Sequence, residues 1–122
     1  MRSVLVALAL VLSSQAFAQG RVLADYTARV SAQDKVNSVG DRLTTVGAIL
    51  RQDRANYHRF EQPGDEDTAD EHFTNADERA RFERLLSRGI VRPDTAREII
   101  NGTPLVRVTV FATRAYVEIL EP

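Results

Sequence analysis

The sequence predicts a small single α+β domain in which two to three helices are followed by a C-terminal β-hairpin, with an N-terminal segment that reads as either a strand or a tether. Three observations predict it. Apolar residues recur at helical spacing between Asp41 and Phe60, a capped pattern follows from Asn75 to Gly89, and strict alternation appears after Pro104. The fold reading begins at residue 19, because residues 1–18 read as a cleavable signal peptide. Arg2 supplies a positive start, Val4 to Leu12 is an uncharged apolar run, and Ala16-Phe17-Ala18 places small residues where a signal peptidase cuts. The run falls short of the roughly 20 apolar residues that a spanning helix needs. The expectation is therefore export to the periplasm or medium, cleavage between Ala18 and Gln19, and no stable membrane anchor afterwards.

Each element has its own signals. Arg21 to Val30 carries β-branched and aromatic residues without a clean period, and Ser31 to Gly40 is polar with the turn residues Asn37, Ser38 and Gly40. Asp41 is expected to cap the first helix, whose apolar face is Leu43, Val46, Leu50 and Tyr57, widened by Ile49 and Phe60. Gly47 lies on that face, where a missing side chain admits a neighbouring backbone. Glu61 to His72 is an acidic loop turned by Pro63-Gly64. Asn75 caps the second helix, with Glu78 placed to reach back to the cap amide, Phe82, Leu85 and Leu86 as its buried stripe, and Gly89 expected in the left-handed conformation at its end. Pro93 suits the first turn of a third helix that Asn101-Gly102 stops. Val106, Val108 and Val110 then alternate with Arg107 and Thr109, and Val117 and Ile119 with Tyr116, Glu118 and Leu120. The short link between the two runs makes them a hairpin.

Composition excludes whole classes of function. There is no cysteine, hence no disulfide, thiolate metal site or cysteine nucleophile. The net charge is −1, or −2 once Arg2 is removed with the leader, which is not the basic footprint of a nucleic-acid binder. The acidic loop fails as a calcium loop: counted from Asp65, Ala69 stands where an oxygen ligand belongs, Asp70 where glycine belongs and Ala76 where glutamate belongs. His58 and His72 are too far apart for the helical zinc signature, which needs two histidines four residues apart. No serine has the glycine-flanked turn of a nucleophile, the six glycines are scattered, and Asn101-Gly102-Thr103 is a glycosylation match that the helix stop already explains. No cofactor and no metal is expected.

One local conflict marks a candidate site. Asp53 and Arg54 fall inside the apolar sector of the first helix, where charge is costly unless paired. The first reading is that the helix leaves the core there and Asp53 to His58 stand at an edge. The second is that the two charges pair with the acidic loop or their neighbours, and the third is a binding site of Asp53, Arg54, His58, Asp70 and His72. The leading function is an exported, non-catalytic binding or interaction protein whose partner is an unknown protein or small ligand of the cell envelope, with a homodimer through the hairpin edge as one form of it. The alternative is a small hydrolytic or metal-dependent envelope enzyme using His58, His72 and the nearby carboxylates.

Overall fold

The computed structural model describes residues 20–60 and 66–122, so the expected signal peptide and residues 61–65 of the acidic loop lie outside the described residues, as does the side chain of Phe60. The order of elements is a strand β1 (Ala24–Arg29), three helices α1 (Val46–Phe60), α2 (Ala76–Arg88) and α3 (Pro93–Asn101), and two strands β2 (Leu105–Val110) and β3 (Ala115–Glu121). The N-terminal segment is thus a strand rather than a tether, and the helices do not lead the domain. It completes an antiparallel three-stranded sheet of order β1-β2-β3.

Period-2 alternation sorts the sheet into two faces. Tyr26 and Ala28 of β1, with Val106, Val108 and Val110 of β2, are buried. Val117 and Ile119 pack beside them. Register sets Tyr26 opposite Val108 and Val108 opposite Val117. The helices cover this face through Val46, Ile49, Leu50, Phe82, Leu85, Leu86 and Ile99, and Phe73, in a short 3-10 turn (His72–Thr74), is fully buried against Tyr26 and Phe82. The opposite face stays polar, with Arg107 bridging to Asp25 at 2.8 Å.

Three helix ends differ from expectation. Asp41 does not cap α1, because its backbone is committed to a turn. The Asn37 side chain accepts the Val39 and Asp41 amides, Gly40 takes φ +87°, and Val36 bridges to Arg42. Thr45 does the capping instead, its hydroxyl accepting the Ala48 amide at 3.2 Å. Asn75 caps α2 by accepting the Asp77 amide at 2.7 Å, but Glu78 reaches His72 rather than the cap. Gly89 is extended, at φ −77° and ψ 169°, and only its amide closes the helix, onto the Leu85 carbonyl. Gly47 does mark a close approach: a Cβ there would stand 3.1 Å from the Glu83 carbonyl oxygen of α2.

The two sheet edges differ. The residues after the acidic loop lie along β1. The Thr27 amide donates to Thr68 Oγ1 at 2.9 Å, the Thr68 amide donates to the Thr27 carbonyl at 3.1 Å, and the Arg29 amide donates to Asp67 Oδ1 at 3.2 Å. Side-chain oxygens thus stand in for the carbonyls of a neighbouring strand. Among the described residues β3 has β2 as its one strand neighbour. The Phe111 amide donates to the Arg114 carbonyl at 2.8 Å, closing a two-residue loop. By antiparallel alternation, Tyr116 and Glu118 turn their backbone groups to β2, while Ala115, Val117 and Ile119 turn theirs away from the sheet. A register shift between Leu105 and Val106 leaves Leu120 as the extra residue of a bulge, so regular pairing ends at Ile119.

Val108 is fully buried at the centre of this sheet. Val108→Asp is expected to abolish cooperative folding, because it buries an unpaired carboxylate. A thermal melt matching the parent would show that the inward face is wrongly assigned.

Candidate functional site

The stripe of α1 that faces the core runs Val46, Ile49, Leu50, Asp53, Arg54, Tyr57, so helical geometry alone aims two charges inward. The expectation that the helix leaves the core there is overturned: Arg54 is 0% exposed and Asp53 5%. Pairing is the arrangement found. Arg54 Nε donates to Asp53 Oδ2 at 2.8 Å, and Nη1 lies 3.4 Å from Asp70 Oδ2. The guanidinium carbon lies over two rings, 3.9 Å from the Tyr26 centroid and 4.5 Å from that of Tyr57. The cation therefore meets two aromatic π clouds, a contact worth about 2 kcal/mol when desolvated. Among the described residues Nη2 of Arg54 and the Tyr26 hydroxyl find no hydrogen-bond partner.

Asp70 brings the loop to the helix. Its Oδ2 also meets His58 Nε2 at 3.1 Å, and its Oδ1 accepts the backbone amide of His72 at 2.8 Å. One carboxylate thus ties Arg54 and His58 of α1 to the turn that carries Phe73. The ring of His72 points elsewhere, to Glu78 at 3.3 Å and onto Phe73 at 4.7 Å between centroids. The five residues singled out from sequence therefore divide. Asp53, Arg54, His58 and Asp70 converge, and His72 joins them only through its backbone. Among the described residues no group of three or more histidines and carboxylates is arranged to hold a metal ion.

Two further acids belong to this environment. Asp34, 3% exposed, accepts the Ser31 amide at 2.8 Å and the Asn56 side chain at 2.9 Å. Burial pushes the Asp53 carboxyl up to about 7; Arg54 opposes this, while Asp34 and Asp67 reinforce it. Burial likewise raises the Tyr26 hydroxyl well above its ordinary range, against the pull of Arg54. Arg54 stays charged, because Asp53, Tyr26 and Asp70 outweigh its desolvation. One guanidinium serves more carboxylates than it can neutralise. Sequence reasoning missed Tyr26 and Asp34. The first had a signal in the alternation Ala24, Tyr26, Ala28, Val30; the second, inside a polar stretch, had none.

Elsewhere an open groove of about 570 Å³ runs between α3 and β3, with Thr95, Arg97 and Glu98 on one side and Val117 and Ile119 on the other. No family model, curated protein or solved structure matches this chain.

Two measurements check the charge network. Arg54→Met keeps most of the stem but strands Asp53 and Asp70, and should lower stability by about 3–5 kcal/mol in denaturant titrations. A change below about 0.5 kcal/mol, typical of a surface substitution, would contradict the buried clamp. The raised Asp53 carboxyl favours folding most fully below its unfolded value near 4, and that contribution is lost as pH rises through about 7. Asp53→Asn should therefore gain stability relative to the parent as pH rises from about 4 to about 7, and a pH-independent difference would mean that Asp53 is ionised throughout.

Proposed function

We propose that this protein is an exported, non-catalytic interaction module that accepts an extended partner segment as an added strand along β3. The observation that carries this reading is the asymmetry of the sheet edges. Side chains of Asp67 and Thr68 already occupy the outer edge of β1, whereas Val117 and Ile119, which line the groove beside α3, turn backbone donors and acceptors away from β2; Ala115, buried with its carbonyl beside Gly89, adds nothing to this edge. Unpaired edge groups are the template used in strand addition, where main-chain bonds supply affinity and alternate side chains supply specificity. The leader-like residues 1–18 support action outside the cytoplasm. The charge network supports a scaffolding role for the residues first suspected of binding. Both carboxylate oxygens of Asp70 are engaged within the chain, and Arg54 is shut off from solvent.

The test is site-specific photo-crosslinking in the cells that make the protein. A photoreactive side chain at Tyr116, which is 54% exposed, should give a discrete adduct, and one at Ile90, which is 96% exposed, should not. Val117→Pro removes an outward amide that β2 does not use, a place where an edge strand tolerates proline. It should leave the fold intact and abolish the adduct. Equal labelling from Ile90, or an adduct that survives the proline, would refute strand addition.

A further inference from the structure

We infer that the occupant of the β3 edge is a second copy of this chain, paired antiparallel about Val117, an inference that rests on the strand-addition reading above. Symmetry supplies the first argument. If both edges of the sheet were open, β1 of one copy would pair with β3 of the next, and the sheet would grow without end. The Glu66–Thr68 segment removes β1 from that choice, held by Thr27, by the Arg29 amide and by the Arg29 guanidinium, which meets Glu66 at 2.7 Å. Only β3 with β3 remains, and that pairing closes on itself as a two-fold dimer.

The residues of β3 supply the second argument, because their pattern is self-complementary. Regular pairing runs from Ala115 to Ile119 before the bulge at Leu120, and its midpoint is Val117. Antiparallel pairing about that midpoint sets Val117 against the partner's Val117, and Ala115 against the partner's Ile119. All of these positions turn their backbone groups away from β2; the two Val117 residues exchange two main-chain hydrogen bonds, whereas Ala115, buried with its carbonyl beside Gly89, adds little to the pairing. The helix-facing side then matches apolar with apolar. On the other side Tyr116 meets the partner's Glu118, a carboxylate that accepts a phenol hydrogen bond. Moving the midpoint one residue toward the C-terminus would oppose Glu118 to the partner's Glu118, which like-charge repulsion disfavours. Five residues of edge bury less than the roughly 1,200 Å² of a stable complex, so the dimer is weak and dilution reverses it.

Sedimentation equilibrium of the purified protein tests this. The parent is expected to be a concentration-dependent dimer. Val117→Lys and Val117→Glu each place like charges at the two-fold axis and should weaken it by roughly tenfold or more, over 1.4 kcal/mol. Their thermal melts verify that each still folds. Because residue 117 faces itself, an equimolar mixture of the two variants should recover the dimer, which a merely structural effect of either substitution would not produce. A parent that stays monomeric into the millimolar range, or a mixture no more associated than its components, overturns the proposal. A monomeric parent that still gives the Tyr116 adduct, with another protein, would leave strand addition standing and remove only the second copy. Loss of the adduct as well would remove both.

Discussion

Arg54 is a fixed positive charge with no access to water, and the surrounding architecture follows from the need to compensate it. Desolvating such a group costs several kcal/mol. Asp53 is attached to the next rung of the same helix, so that pair forms as soon as α1 does. Asp70 must be brought from beyond residues 61–65, and its arrival fixes the start of the turn that inserts Phe73 between Tyr26 and Phe82. Tyr26 and Tyr57 both present their rings to the guanidinium. The cation therefore joins α1, β1 and the loop in one interaction set, and register between helix and sheet cannot shift without breaking it.

The same loop serves the outside of the molecule. From Asp70 the chain runs back along β1, where Asp67 and Thr68 satisfy the strand's outer backbone and the Glu66 carbonyl accepts the Thr27 hydroxyl. An anchor in the core and a cover on the edge are thus parts of one segment. Its acidity is useful for both tasks: Asp70 answers a buried arginine, Glu66 answers the half-exposed Arg29, and Glu121 at the end of β3 reaches that same Arg29 at 2.9 Å. A segment that composition alone describes as solvated proves to be wired to both α1 and β1. β3, which has β2 as its one strand neighbour among the described residues, carries Glu118 on its polar face and a bulge at Leu120, devices that limit indiscriminate pairing.

Much of the candidate site was legible, though in an incomplete form. A charge on the apolar face of a helix violates the binary pattern, and that violation located Asp53 and Arg54 from spacing alone. Spacing could not say whether the face stops or continues there, because a helix leaving the core and a helix burying an ion pair have the same sequence pattern. Asp70 was one of several acids available to pair, and only chain geometry selects among them. Histidine content suggested a shared task for His58 and His72; the rings are turned to different partners, Asp70 and Glu78.

By itself the sequence determined the elements whose cause is local. The alternation of Val106, Val108 and Val110, the helical stripes of α1 and α2, the asparagine cap at Asn75 and the proline start of α3 each depend on residues a few positions apart, and each is found. The tertiary structure alone decided what depends on residues far apart. It made Ala24–Arg29 a strand by giving it β2 as a neighbour, moved the first cap from Asp41 to Thr45 by committing Asp41 to a turn with Asn37, and turned Glu78 from the cap to His72. It also buried Arg54. The physical reason is common to all four: a hydrogen bond or ion pair is satisfied by whichever partner the folded chain brings within about 3 Å, and chain distance carries no information about that once the separation exceeds a turn of helix.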